Sequence, residues 1–240
     1  MADIKNIVSF GCSWTFGDEL LDHDLKSMDI DHTNRKNDKY RLENCYTGIL
    51  AKEHNLIQNN FGYPGSSLQS MIWNLVWWTK NTDIEDIKSS LVLVGLTGED
   101  RTSWFDPRHE PGFHDPTWHR HVHSTWLNTS ELFFKEAKAG WRKLKKYYYA
   151  FSHSDELSQI NIDTTTLMFD SIGYKYNIPV IQFNTVARKK PNNIDSFYDI
   201  DVTSLLSKEN YAKNQHPNES GHKIIANEIT KIINTNKLLS

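Results

Sequence analysis

The sequence has few cysteines, no long apolar run and little net charge. Among its 240 residues only Cys12 and Cys45 are cysteines, which is too few for a disulfide framework and favours a reducing compartment. No segment approaches the roughly 18 consecutive apolar residues of a membrane span, and the first residues lack the pattern of a secretory signal. We therefore expect a cytoplasmic chain without a membrane span, although a protein of a phage particle would leave the same pattern.

The formal net charge of -3 argues against a protein that binds nucleic acid through bulk positive charge. Apolar residues make up 38 % of the chain and charged residues 24 %, which is typical of a globular protein and excludes wholesale disorder. At this length we expect a single domain over residues 1–240, with a lid-like insertion at about 101–150. The sequence does not determine the oligomeric state.

Short apolar runs alternate with segments of helical periodicity. The pattern predicts strands at residues 4–10, 55–60, 90–94 and 179–183, and helices at 43–54, 68–76, 129–176 and 225–233. This alternation predicts an α/β fold in which helices cover both faces of a central parallel sheet. In such sheets ligands bind beyond the carboxyl ends of the strands, so the residues that follow each strand are the candidate functional residues.

The insertion differs in composition from the rest of the chain. Residues 101–127 contain five histidines, three prolines and three tryptophans without a clear period. The alternation of His119, His121 and His123 could bind a transition metal, but no known metal signature matches, so we predict an exposed polar lid and no metal site. Aromatic residues of this His/Trp-rich segment, such as Trp104, either form a substrate wall or pack the lid onto the domain.

A basic stretch at residues 135–146 contains six lysines and arginines and is followed by three tyrosines. Basic side chains interleaved with aromatic ones can bind single-stranded nucleic acid. In a chain of net negative charge, a solvated helix face is the favoured interpretation. No nucleic-acid partner is therefore expected.

Ser13 follows the first predicted strand at the expected start of a helix. Unpaired N–H groups and the positive end of the helix dipole lie at such a position, which suits a nucleophile whose product is an oxyanion. The alternative is that Ser13 only caps the helix. The residues around Gly11 and Gly17 match neither a P-loop, nor a dinucleotide-binding loop, nor the G-x-S-x-G nucleophile elbow.

His216 is the second candidate functional residue, near the other end of the sequence. It is followed by Pro217 and then by the start of a helix, which places it on a loop. An imidazole can take and return a proton near neutral pH and can therefore act as a general base. The alternative is an ordinary surface histidine, and His222, inside the helix start, is interpreted as structural.

Four segments resemble, in order, the four sequence blocks of the SGNH (GDSL-type) hydrolase superfamily. They are Phe10-Gly11-Cys12-Ser13, Asn60-Phe61-Gly62-Tyr63-Pro64-Gly65-Ser66-Ser67, Val94-Gly95-Leu96-Thr97 and His216-Pro217. The resemblance implies a flavodoxin-like three-layer α/β/α sandwich, with an irregular or helical insertion, that hydrolyses esters.

The resemblance also implies roles for particular residues. Ser13 would be the nucleophile and His216 the general base, while the N–H groups of Ser13 and Gly65, together with the Thr97 side chain, would form an oxyanion hole. No cofactor is implied, and the expected partner is a small-molecule or carbohydrate ester. Arg101, after the third strand, either holds a charged substrate group or braces its loop by pairing with a neighbouring acidic residue.

The chain departs from the family pattern at three positions. Thr97 stands where the family usually has an asparagine, Cys12 where it has an aspartate before the nucleophile, and Lys213 where it has an aspartate three residues before the histidine. Cys12 is an alternative nucleophile, although its side chain is expected to point into the core if Ser13 points outward. Thr97 has a shorter side chain than asparagine but can still donate one hydrogen bond.

The residue that orients His216 is left open by these departures. The alternatives are a main-chain carbonyl or Asn214, a carboxylate from elsewhere such as Asp199, Asp201 or Glu219, or no orienting group at all. The first hypothesis is therefore a serine esterase, with O-acetyl groups on carbohydrate as a substrate class. The second is a catalytically degenerate protein of the same fold that binds a glycan or another ligand.

Overall fold

The computed structural model describes residues 3–29, 34–99, 101, 154–187 and 189–239. Five parallel strands form one sheet in the order β2-β1-β3-β4-β5. The strands are β1 (Asn6–Gly11), β2 (Ile57–Gly62), β3 (Ser90–Leu96), β4 (Val180–Asn184) and β5 (Phe197–Asp201). This strand order is that of flavodoxin-like folds, so the predicted α/β class and its parallel sheet are confirmed.

Helices connect and flank the strands. They are α1 (Ser13–Phe16), α2 (His23–Ser27), α3 (Asp38–Asn44), α4 (Tyr46–Glu53), α5 (Leu68–Asn81), α6 (Ile84–Lys88), α7 (Asp155–Tyr176), α8 (Val202–Leu205) and α9 (Glu219–Thr235). Short 3-10 turns lie at Arg35–Asn37 and Lys208–Asn210.

The helices cover the sheet on both faces. α4 and α9 pack on one face, where Leu50 and Ile229 join the apolar cluster around Leu91. α5 and α7 pack on the other face, where the cluster contains Met71 and Phe169. The described part of the chain is thus a three-layer α/β/α sandwich.

β1 and β3 lie at the centre of the sheet and are buried along their whole lengths. Strands covered on both faces require continuous apolar runs rather than alternating ones, which is why both are visible in the sequence. β5 was not predicted. It is an edge strand whose Phe197 and Tyr198 are only half-buried and whose other residues are mostly acidic, so it has no continuous apolar run.

Several sequence predictions lie outside the described residues. The helix predicted over 129–176 coincides with α7 in its second half, whereas residues 102–153 contain the lid-like insertion, its histidines and tryptophans, and the basic stretch. Within the described residues, none of the helices has the length and apolar character needed to cross a bilayer.

His222, on α9, is fully buried and replaces the usual capping side chain at the start of α4. Its Nδ1 accepts a hydrogen bond of 3.2 Å from the N–H of Tyr46, and the two rings stack with centroids 6.0 Å apart. The proton of the neutral ring therefore sits on Nε2, which has no partner among the described residues. Burial, and secondarily the nearby His216, lower the pKa of His222 from 6.5 to about 3.

This lowered pKa makes stability depend on pH. Between about pH 3 and about pH 6.5 the unfolded chain binds a proton that the folded chain does not. The free energy of unfolding should therefore fall as the pH drops below 6.5, by about 1.4 kcal/mol per pH unit from this group. His222→Asn keeps an acceptor for the Tyr46 N–H and cannot titrate, so it should remove this part of the slope.

Urea unfolding followed by circular dichroism, from about pH 7.5 to about pH 4.5, measures the effect. His23→Asn is the matched control because it removes an exposed imidazole, and it should keep the wild-type slope. Equal slopes in wild type and His222→Asn would show that His222 is not the group responsible.

Candidate active site

Ser13 is the first residue of α1, directly beyond the carboxyl end of the central strand β1. The N-cap of this short helix is Cys12 rather than Ser13, and Cys12 makes no side-chain capping bond. The sequence alternative in which Ser13 serves as the cap therefore does not describe this helix. The Ser13 hydroxyl is available for another contact.

His216 lies on a tight loop immediately before α9. Tyr211 and Pro217 form an antiparallel bridge, and the N–H of Ala212 donates to the carbonyl of His216 at 2.7 Å. Gln215, between them, has a φ of 69°, a left-handed conformation that closes the loop. These contacts hold the imidazole over the carboxyl edge of the sheet.

The structure brings the two predicted residues into contact. Nε2 of His216 lies 3.0 Å from Oγ of Ser13, although 203 positions separate them in sequence. Ser13 is 5 % exposed, and 19 % of the His216 side chain is exposed. A hydroxyl and an imidazole at this distance form the pair in which the imidazole can take the hydroxyl proton.

Glu19 contacts the opposite nitrogen of the ring. Its Oε2 lies 2.9 Å from Nδ1 of His216, and only 9 % of its side chain is exposed. The same carboxylate accepts hydrogen bonds from the N–H of Asn214 at 3.0 Å, from Nδ2 of Asn214 at 2.9 Å and from the N–H of His216 at 3.3 Å. A carboxylate shielded from water needs such partners, and here every one of them belongs to the histidine loop.

A sharp turn after α1 carries Glu19 to this position. α1 ends at Phe16 and is capped by Gly17, whose φ of 80° is readily adopted by glycine. Glu19 itself has a φ of 66°, which costs free energy in a residue with a side chain. The backbone therefore doubles back, so that Ser13 and Glu19 approach the same imidazole from its two nitrogens.

The hydrogen bonds define the protonation of the neutral ring. Because the Glu19 carboxylate can only accept, Nδ1 of His216 carries the proton and Nε2 presents a lone pair to the Ser13 hydroxyl. A second carboxylate is close by, since Oδ2 of Asp18 lies 3.7 Å from Nε2. An imidazolium formed at His216 would therefore lie between two negative charges.

The orienting residue differs from those considered from the sequence. Asn214 donates to Glu19 and not to the imidazole. The other three candidate carboxylates have different partners, with Asp199 paired to Lys190, Asp201 capping α8 and Glu219 accepting from the Tyr40 hydroxyl. Glu19 was missed because nothing in the sequence distinguishes it from the 29 other acidic residues. The one property that could have drawn attention to Glu19 is its short sequence separation from Ser13, and that property alone does not indicate a role.

The other predicted site residues lie in the loops on either side of Ser13. Gly65, with a φ of 79°, belongs to the turn after β2, and Thr97 follows β3 and is fully buried. Nη1 of Arg101 donates to Oγ1 of Thr97 at 2.7 Å and to the carbonyl of Ser66 at 3.4 Å. Arg101 therefore links the two loops.

Cys12, the alternative nucleophile, faces the other way. Its thiol is fully buried in the apolar cluster beneath the sheet edge, and Sγ lies 3.8 Å from Oγ1 of Thr185. Ser13 and not Cys12 thus meets the imidazole. Within the ranges that the structure describes, no three or more His, Cys, Asp or Glu side chains are grouped so as to hold a metal ion.

Neither protein-family profiles nor curated proteins match the chain. Similar solved structures include a G-D-S-L family lipolytic protein from Veillonella parvula, with 14 % identity, 96 % of this chain and 98 % of that chain covered, and a TM-score of 0.38. A putative lipolytic protein of the same family from Desulfitobacterium hafniense has 11 % identity, with 95 % of this chain and 99 % of that chain covered, and a TM-score of 0.36. Another is an acetyl xylan esterase from Geobacillus stearothermophilus, with 14 % identity, 93 % of each chain covered and a TM-score of 0.34. With identities and TM-scores this low, the functional argument depends on the side chains of this chain.

Glu19 should hold the histidine loop in place, independently of any catalysis. Glu19→Ala removes the acceptor of the Asn214 and His216 N–H groups. Hydrogen bonds to a charged group contribute about 1.5–3 kcal/mol each, so these two amides should exchange with solvent roughly 10- to 150-fold faster. Hydrogen exchange followed by NMR measures this.

The matched control is Glu53→Ala, because Glu53 accepts only from the Thr230 hydroxyl among the described residues. It should leave Asn214 and His216 protected as in wild type. The N–H of His222, which donates to the carbonyl of Asn218 at the N-cap of α9, serves as an internal reference in both variants. Unchanged exchange at Asn214 and His216 in Glu19→Ala would contradict the proposed anchoring.

Proposed function

We propose that the protein is a serine hydrolase that cleaves carboxylic esters through Ser13, His216 and Glu19. The observation that carries the proposal is the pair of contacts on one imidazole, 3.0 Å to the Ser13 hydroxyl and 2.9 Å to the Glu19 carboxylate. Nucleophile, base and orienting acid in this arrangement are what acyl transfer to serine requires.

In the first half-reaction Oγ of Ser13 attacks the ester carbonyl carbon while its proton moves to Nε2 of His216. The carbonyl electron pair moves onto oxygen, which becomes an oxyanion. When the tetrahedral intermediate collapses, the bond to the alcohol oxygen breaks and His216 returns the proton to the leaving alcohol. Glu19 stabilises the imidazolium and remains ionised throughout.

In the second half-reaction water replaces the alcohol. His216 takes a proton from the water, which attacks the acyl-Ser13 ester, and then returns it to Oγ as the acid is released. The N–H groups of Ser13 and Gly65 are the proposed main-chain donors to the oxyanion. Both lie at the carboxyl edge of the sheet, where α/β folds bind ligands.

For the acyl group and the alcohol of the substrate, the proposal names only a class of compound. An ester with a short acyl chain, such as an O-acetyl group on carbohydrate, is the substrate class that the sequence predicts. The aromatic side chains that favour a sugar lie in the insertion, outside the described residues. The assignment to carbohydrate therefore stays a prediction from the sequence.

A catalytically inactive protein that binds a glycan or another ligand is the second candidate. Two departures motivate it: Thr97 stands where the resemblance implies an asparagine, and Lys213 stands where it implies an aspartate, which is the more serious of the two. Glu19 contacts the ring nitrogen that such an aspartate would orient, so the second motive loses its force. The esterase is the function that the geometry supports better.

A fluorophosphonate probe tests the nucleophile directly. Wild type should be labelled and should release p-nitrophenol from p-nitrophenyl acetate. Ser13→Ala should abolish labelling, since Oγ is the atom that forms the bond to phosphorus as fluoride leaves. Cys12→Ala is the matched control, because the buried thiol is adjacent in sequence but faces the core, and it should be labelled as wild type is.

Mass spectrometry of the labelled peptide identifies the modified residue. Labelling retained in Ser13→Ala and lost in Cys12→Ala would assign the nucleophile to the thiol. A folded wild type that neither reacts with the probe nor hydrolyses any of several acyl esters would favour the binding protein.

Glu19→Gln tests the orienting acid. A glutamine amide can donate to Nδ1 and thereby hold the ring in the wrong tautomer. We expect kcat on p-nitrophenyl acetate to fall by roughly 10³- to 10⁴-fold with KM changed by less than about threefold. Steady-state kinetics of Glu19→Gln beside Glu53→Gln measures the effect. A kcat that stays at the level of the control would show that Glu19 does not orient His216 for catalysis.

A further inference from the structure

We propose that the guanidinium of Arg101 donates a charged hydrogen bond to the oxyanion formed at Ser13. It would supply the hydrogen bond that the resemblance assigns to an asparagine, at whose position the sequence has Thr97. The inference rests on the proposed hydrolase function and adds a donor to its site.

The position of Arg101 follows from the order of the strands. Its Nη1 contacts Thr97 in the loop after β3 and Ser66 in the loop after β2. Because β1 lies between β2 and β3, a side chain that touches both loops spans the carboxyl end of β1. Ser13 follows that end, so the proposal places the guanidinium beside the nucleophile.

Thr97 is the anchor in this arrangement. It is fully buried, and its hydroxyl oxygen accepts from Nη1 of Arg101 at 2.7 Å. Arg101 is partly exposed. Of the two side chains, the guanidinium is therefore the one that is accessible from solvent.

The guanidinium has donors to spare. Both hydrogen bonds of Arg101 with the described residues are donated by Nη1. No described residue accepts a hydrogen bond from Nε or Nη2. With respect to the described residues, three N–H groups of the planar guanidinium therefore remain for a ligand. An oxyanion is the ligand that the proposed reaction creates at this place.

Charge balance also favours a cation here. The carboxylates of Asp18 and Glu19 lie 3.7 and 2.9 Å from the two ring nitrogens of His216. They stabilise the imidazolium but oppose a negative charge on the carbonyl oxygen nearby. A guanidinium that donates to the oxyanion would offset this repulsion.

Arg101 takes part in no bond-making step. As Oγ of Ser13 bonds to the carbonyl carbon, the electron pair of the C=O bond moves to oxygen, and the serine proton moves to His216. The guanidinium donates to that oxygen, and keeps its own protons when the pair returns and the alcohol leaves. It is thus expected to act on the transition state more than on substrate binding.

The test compares Arg101→Met and Arg101→Lys with Lys213→Met, a control that removes an exposed positive charge from the histidine loop. Arg101→Met should lower both kcat on p-nitrophenyl acetate and the rate of fluorophosphonate labelling by roughly 10²- to 10³-fold, the loss typical of one oxyanion donor. KM should change by less than about threefold, Arg101→Lys should recover part of the loss, and Lys213→Met should match wild type.

A trifluoromethyl ketone, which forms an oxyanion on Ser13 without turnover, gives a second readout. Its affinity should fall in Arg101→Met by about the same factor as kcat. Thr97→Val, which removes the anchor, should lose less than Arg101→Met, and the double variant should be no worse than Arg101→Met alone. Circular dichroism confirms folding, and Arg101→Lys and Thr97→Val carry the test if Arg101→Met does not fold.

Three outcomes would overturn the inference. Labelling rates and kcat in the Arg101 variants within twofold of wild type would show that the guanidinium is not a donor. A rise in KM confined to an anionic ester such as p-nitrophenyl hemisuccinate would make it a contact for a charged substrate. A larger loss in Thr97→Val than in Arg101→Met would make Thr97 itself the donor. In all three, wild type still reacts with the probe, whereas an unreactive wild type would instead refute the hydrolase.

Discussion

The candidate site depends on one carboxylate that is nearly removed from water. Glu19 is tolerated there because the histidine loop supplies N–H donors to both of its oxygens. The same bonds fix the loop, the ring tautomer and the direction of the lone pair on Nε2. Packing of the sheet brings the loop near Ser13, but the carboxylate decides which atom of His216 faces the hydroxyl.

The electrostatics of the site are asymmetric. Negative charge surrounds the imidazole, on Asp18 and Glu19, while the guanidinium of Arg101 contacts the loops after β2 and β3, the two strands that flank β1. In the proposed reaction, the proton that leaves Ser13 creates a positive charge on the imidazole, and attack on the ester creates a negative charge on the carbonyl oxygen. On the proposed mechanism these fixed charges complement the charge separation before it occurs, which is the sense in which a site is preorganised.

The sequence predicted the parts of the fold that are buried on both sides. The apolar runs of β1 and β3 and the helical periods of α5 and α9 follow directly from burial, and the resemblance paired Ser13 with His216. β5 was not predicted because an edge strand has no need of a continuous apolar run. Glu19 was not predicted because its role depends on a left-handed turn and on hydrogen-bond donors about 200 residues away. Neither feature produces a recognisable pattern in the sequence around Glu19.

The division of the site between distant segments bears on how the protein matures. Ser13 and Glu19 are made within one short stretch, and His216 leaves the ribosome 203 residues after Ser13. A nascent chain that has completed β1 through β5 therefore holds a nucleophile without its base. On the proposed mechanism such a chain is inert, and hydrolytic competence arises only when the loop before α9 docks.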